Sequence, residues 1–126
     1  MKPDKFSVRK RLQSFQFAFN GLKVMLKEEH NSRIHLFLAL IATFLGWKLN
    51  ISSIEWVLLV LIIGGVFAAE LFNSALENLA DHLSPERSEG IKKVKDLSAA
   101  AVLVCAMVSV AVACLIFLPK IFLLIR

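Results

Sequence analysis

Glu70, Asn73, Glu77 and Asp81 recur at steps of three and four through AELFNSALENLADHL, directly after the apolar run IEWVLLVLIIGGVFAA. On a helix turning about 100° per residue, they and Ser74 share one stripe about 100° wide. Leu71, Phe72, Ala75, Leu76, Leu79 and Ala80 take the rest of the circumference, so the helix stays compatible with lipid everywhere else. A carboxylate in or near hydrocarbon is costly unless it is paired, hydrated or neutralised, which makes intramembrane acids functional candidates. A divalent cation would neutralise two of them. Hard oxygen ligands suit magnesium, which keeps several waters and commonly binds through one or two carboxylates plus phosphate oxygens. The plainer alternative is a polar seam between helices, a task that amides and hydroxyls perform at lower cost than acids. Glu70 and Glu77 lie about 10 Å apart along the axis, so their roles can differ. The deeper, drier Glu70 suits a general base, and Glu77, nearer the cytosol, suits a metal carried on a water-soluble phosphate donor.

Other polar residues converge on the same side. Glu28, Glu29, His30, Asn31 and Arg33 follow an amphipathic segment, and Lys92, Lys93, Lys95 and Asp96 lead into the last apolar stretch. Lys95 beside Asp96 at the start of a helix would combine a phosphate-binding cation with backbone donors and the positive end of the helix dipole. A solvated anchor at the membrane edge has the same composition. Neither a GxxxxGKS loop nor a GxGxxG turn is present, so a nucleotide would have to be held by side chains from helices. His30, His35 and His82 lack a shared zinc spacing, and His35 is expected only as a hydrogen-bonding group near the interface. Cys105 and Cys114, nine apart in an apolar run, have no metal or redox spacing.

Elements that could position these residues follow from hydropathy. With 126 residues, 57% hydrophobic content and a mean hydropathy of +0.68, the chain is too apolar for an ordinary soluble globule. It reads as a single all-α membrane domain over 1–126. An amphipathic surface helix is expected over about 5–29, with Leu12, Phe15, Phe19, Leu22 and Leu26 on one face. Three spans are expected at about 33–49, 53–80 and 97–118, since crossing about 30 Å of hydrocarbon takes about 20 helical residues. The short KLNISS connector forces a tight antiparallel hairpin, with Ser53 as the expected cap of the second span, and Pro119 should end or kink the third.

Of the fifteen basic residues, eight lie between Lys2 and Arg33 and four between Arg87 and Lys95. This puts the N-terminus and the connector HLSPERSEG in the cytoplasm, and the protein in a bacterial inner or plasma membrane as a multi-pass chain. The net charge of +5 is read as a match to anionic lipid, because no nucleic-acid motif accompanies it. The opening MKPDKFSVRKR has no apolar core followed by a cleavage site, so no removed signal peptide is expected.

The signature ExxNxxxExxxD, here Glu70 to Asp81, followed by Lys95-Asp96 and small residues, resembles the small prokaryotic diacylglycerol kinases, which include the undecaprenol kinases of many bacteria. The resemblance covers about Phe6 to Pro119. It implies a homotrimeric membrane kinase with active sites shared between neighbouring subunits, ATP as co-substrate and Mg2+ as cofactor. By position, Glu70 corresponds to the catalytic base acting on a lipid's primary hydroxyl, and Glu29 and Glu77 to the pair that holds the metal with ATP. Lys95, Asp96, Glu86 and Ser88 correspond to nucleotide contacts, as does a basic residue among Arg9, Lys10 and Arg11. Asn73 and Asp81 belong to the same polar constellation, and Asn31, Trp47 and Ala99 join Glu70 as lipid contacts. Phe17 stands at a nucleotide-contact position where enterobacterial members carry an aromatic hydroxyl. The segments EEHNSRIH, IEWVLLVLIIGG and IFLPK look more like undecaprenol kinases.

The reading is ATP-dependent phosphorylation of a membrane lipid alcohol, either undecaprenol or diacylglycerol, with no nucleic acid involved. Its rival is a small oligomeric transporter or channel using Glu70 and Glu77 to relay protons or cations. Such a conduit would have no need of acids on the amphipathic segment or of Lys95 and Asp96. A purely structural subunit would leave the stripe as glue.

Overall fold

The computed structural model describes residues 5–84, 86 and 88–126, which form four helices and no strand. These are α1 (Val8–Glu28), α2 (His30–Lys48), α3 (Ser53–Leu83) and α4 (Glu89–Ile125). Lys2 of the basic N-terminus and Pro85 and Arg87 of the last connector lie outside the described residues.

α1 opens on Ser7, whose side chain accepts the N–H of Lys10, and is helical from Val8 to Glu28. Every residue from Val8 to Asn20 is exposed, and contact with the rest of the chain is confined to the last turns, where Met25 is buried. Glu29 alone separates α1 from α2; it is extended, with φ −106° and ψ 113°. Arg33 stabilises this break, because its guanidinium donates to the carbonyls of Leu26 and Lys27, which the end of α1 leaves without helical partners. The turn therefore aims the Glu29 side chain off both helices.

α2 ends at Lys48, and in the turn that follows Asn50 takes a left-handed φ of 49°. The N–H groups of Asn50 and Ile51 then reach back to the carbonyls of Trp47 and Gly46, the pattern that closes a helix C-terminus. α3 starts one residue earlier in its capping than the sequence led us to expect: the cap is Ser52, not Ser53. The reason is Glu55, three residues on from Ser52, whose carboxylate accepts the Ser52 N–H while the Ser52 hydroxyl accepts the Glu55 N–H. Ser53 would have Trp56 in that position and no return bond.

Two further expectations change. α4 begins at Glu89, capped by Ser88, so Lys95 and Asp96 sit well inside a helix and not at its N-terminus, and they have no free backbone donors beside them. α4 also continues through Pro119 to Ile125. Beyond the proline, Lys120 is held 3.1 Å from Glu55, which ties that turn to the start of α3.

α3 packs antiparallel on both α2 and α4. At the connector end Ile51, Leu59, Ile116 and Phe117 form a small apolar core, with Trp56 and Leu45 against it. α3 and α4 are long and apolar enough to cross a membrane, and only 17% and 11% of their most apolar stretches are buried within the chain, unlike core helices of a soluble protein. α2, diluted by Asn31, Ser32, Arg33 and His35, does not reach the same apolarity, so two spans of the expected three meet that test.

Gly46 sits where α2 meets the start of α3 with no room for a side chain: a Cβ there would lie 2.9 Å from Cη2 of Trp56 and 3.0 Å from Cδ1 of Ile51. Gly46→Ala is therefore expected to destabilise the fold by about 1–3 kcal/mol through overpacking, read as a lowered unfolding midpoint in detergent. An unchanged midpoint would mean that α2 and α3 are not held this closely.

Candidate active site

The acidic stripe of α3 is graded in burial. Glu70, Asn73 and Ser74 are buried, Glu77 is half-buried and Asp81 is exposed. Burial follows from packing: the first three residues lie where α2 and α4 both press on α3, and the last two lie toward the C-terminal end of α3.

Glu70 is 1% exposed. The Ser32 hydroxyl donates to its Oε2 at 3.2 Å. His35, one turn further along α2, brings Nε2 to 3.2 Å from Oε1, but off the direction of a hydrogen bond. Oε1 therefore accepts no hydrogen bond among the described residues. An acceptor left open and dry carries a desolvation cost. Ser74 Oγ, one turn on, is likewise buried without a partner among the described residues. Asn73 is fixed from the other side, where the Ser98 hydroxyl of α4 donates to its Oδ1 at 2.8 Å.

Two turns beyond Glu70, the carboxyl groups of Glu77 and Glu29 face one another within hydrogen-bonding reach, with Asp81 and Lys95 beside them. Lys95 pairs with Asp81 from α4. Glu28 accepts from Asn78 at 3.3 Å, which anchors the end of α1 to α3 next to this pair. Among the described residues no group of three or more His, Cys, Asp or Glu is arranged to hold a metal ion. A facing pair of carboxylates fits magnesium when phosphate oxygens and water complete its octahedron.

Of the residues singled out in the sequence, Glu29, Glu70, Asn73, Glu77, Asp81 and Lys95 come together along one face. Asp96 does not: it pairs with Lys92 at 2.6 Å on a different face of α4, where Glu89, Lys93 and Leu97 surround it. Glu86 and Ser88 lie exposed in the connector, and Ser88 caps α4. Arg9 and Lys10 lie about 30 Å along the helix axis from Glu29, and Phe17, 76% exposed, about 18 Å. Asn31 and Ala99 are exposed next to the buried Ser32 and Ser98. Trp47, 68% exposed, is at the opposite end of α2, about 22 Å from Ser32.

From His35 an apolar groove of about 380 Å³ runs between α2, α3 and α4 toward Cys114 and Leu118, with Val66, Phe67 and Ala113 in its walls. Ser32, His35 and Ser98 are site residues that the sequence reading did not assign. Ser32 and His35 lie three apart on one face of α2, which was the available signal.

Ser98→Ala would leave Asn73 Oδ1 buried and unpaired, so a stability loss of about 1–3 kcal/mol is expected in detergent unfolding. An unaltered unfolding curve would remove Ser98 from the account.

The family model for prokaryotic diacylglycerol kinase matches residues 16–117. The chain is 36% identical over 108 residues to an undecaprenol kinase of Bacillus subtilis, covering 86% of this chain and 88% of that one. It is 34% identical over 93 residues to a diacylglycerol kinase of Haemophilus influenzae, covering 74% and 79%. Against a diacylglycerol kinase of Escherichia coli, identity is 29% over 100 residues, covering 79% and 82%. With the acidic stripe, its buried carboxylate and the helical architecture already described, these matches show that the chain belongs to the prokaryotic diacylglycerol kinase family of lipid kinases.

Proposed function

We propose that the protein transfers the γ-phosphoryl group of ATP to the primary hydroxyl of a membrane lipid alcohol, with Glu70 as general base. The observation that carries this reading is the Glu70 carboxylate itself: buried, held at Oε2 by Ser32 and without a hydrogen bond at Oε1 among the described residues, in contact with His35, which lines the end of an apolar groove. A hydroxyl entering from the bilayer would donate to Oε1 and lose its proton there as its oxygen bonds to the γ-phosphorus and the bond to ADP breaks. Such transfer depends on positioning and charge neutralisation more than on covalent chemistry.

Glu29 and Glu77 would hold Mg2+ on the ATP phosphates, where the ion neutralises charge on the transferring group. Lys95 is the nearest cation, and exchanging Asp81 for phosphate would bring it onto the nucleotide. Arg9, Lys10 and Phe17 lie too far along α1 to serve the Glu29 of their own chain. In a homotrimer they would meet nucleotide at a neighbour's site, together with Asp96, Glu86 and Ser88. α2 would be the third span: Phe37, Leu40, Phe44 and Trp47 leave apolar surface exposed that only lipid or another subunit would cover. The N-terminus and the connector around Glu86 would then be cytoplasmic.

Undecaprenol is the favoured acceptor over diacylglycerol. Supporting it are the segments EEHNSRIH, IEWVLLVLIIGG and IFLPK and the higher identity to the relative named undecaprenol kinase.

Glu70→Gln is expected to abolish turnover while leaving ATP affinity within a few-fold; lost ATP binding would reverse the assigned roles. Raising magnesium is expected to rescue Glu77→Asp in part and Glu70→Gln not at all, measured as initial rate against magnesium concentration.

A further inference from the structure

A buried base that takes one proton per turnover has to lose it again before the next. Around Glu70 the means are few. Ser32 donates to Oε2 and has no basic site to accept the proton. Among the described residues against Glu70, His35 is the one with a ring nitrogen that can take up a proton, and its Nε2 is 3.2 Å from Oε1. Its side chain is 23% exposed against 2% for Glu70, so the imidazole bridges the buried carboxylate and the outside. Asn31, four residues earlier on the same face of α2, is exposed and continues that line toward the polar start of the helix.

We propose that His35 is the proton outlet of this site, acting through Glu70 and resetting it between turnovers. The inference rests on Glu70 being the base. Glu70 Oε1 takes the proton of the lipid hydroxyl as the new O–P bond forms and ADP departs with the electrons of the broken P–O bond. A rotation of the imidazole from the observed off-axis contact aligns Nε2 with Oε1, the neutral carboxylic acid gives its proton to the Nε2 lone pair, and Glu70 is an anion again. The imidazolium passes its proton to water on the side of the polar start of α2, where Asn31 is exposed, and returns to neutral. No oxidant or further reactant is consumed.

The nearest other charged cluster, Glu29, Glu77, Asp81 and Lys95, lies about two helical turns away along α3. From α3, Glu70 is the titratable group against the imidazole; from α4, the groove contributes the thiol of Cys114, about 18 Å further along the axis. On α2 itself, Arg33 is committed to the carbonyls of Leu26 and Lys27, and His30 lies beyond it at the helix start. At the end of α1, Glu28 accepts from Asn78.

The test uses the full chain in detergent with Mg-ATP and a lipid alcohol, comparing wild type with His35→Gln and His35→Ala. Both variants are expected to lose at least about tenfold in kcat at pH 7, with KM for ATP and lipid within about twofold. An acid limb of the wild-type kcat profile that depends on the imidazole should disappear in His35→Gln. Added imidazole should restore turnover to His35→Ala in proportion to its free-base concentration and leave wild type unchanged. Near-wild-type kcat in both variants overturns the proposal. So does a loss of kcat in which the acid limb persists and imidazole has no effect, because that is a packing role. His35→Gln keeps the size and hydrogen-bonding capacity of the site, so it carries the test if His35→Ala unfolds. An inactive Glu70→Gln beside fully active His35 variants overturns only this inference, whereas an active Glu70→Gln overturns the base assignment beneath it.

Discussion

A carboxylate kept out of water in the middle of a long apolar helix is the constraint on which the other features of this protein turn. Glu70 is nearly inaccessible, yet one of its oxygens has no hydrogen-bond partner among the described residues. A purely structural acid at this depth would be satisfied at both oxygens or replaced by an amide. The chain instead spends stability to keep an acceptor open, and surrounds it with groups that fix the rest of the side chain. Ser32 holds one oxygen, Asn73 is pinned by Ser98 one turn away, and the groove beyond His35 is apolar.

Helix register makes that arrangement possible. Gly46 faces Trp56 next to the hairpin turn, and fourteen residues outward along each helix lead to Ser32 and Glu70. The Asn50 turn, the Ser52–Glu55 cap and the absent side chain at Gly46 therefore act at a distance, because each sets how α2 slides against α3. At the other end, the one-residue break at Glu29, secured by Arg33, turns α1 away and brings Glu29 up to Glu77. The buried Glu70 carboxylate and the facing Glu29 and Glu77 carboxylates are thus two products of one packing scheme, about 10 Å apart along α3.

Much of this was legible in the chain. The stripe from Glu70 to Asp81 follows from helical periodicity alone, and its gradient of burial was implied by apolar sequence on one side and polar sequence on the other. The surface helix and the hairpin followed from spacing in the same way. What sequence periodicity could not supply was contact between helices. Asp96 is adjacent to Lys95 in sequence, but about 100° of helical rotation turns it toward Lys92 instead. The extension of α4 back to Glu89 was hidden because its first turns are charged, and apolar runs mark spans, not helix ends. Ser32 and His35 passed as ordinary polar residues because their meaning lies in facing Glu70, which only the hairpin register reveals.

The central claim is chemical, and the most direct measurement follows the phosphoryl group. Purified protein in detergent is given magnesium, ATP labelled at the γ-phosphate and a panel of lipid alcohols that includes undecaprenol and diacylglycerol, and the lipids are then extracted and separated. The account predicts label on at least one lipid, dependent on magnesium and strongest with undecaprenol. Absence of any labelled lipid across the panel, from protein that is folded and binds ATP, would contradict it.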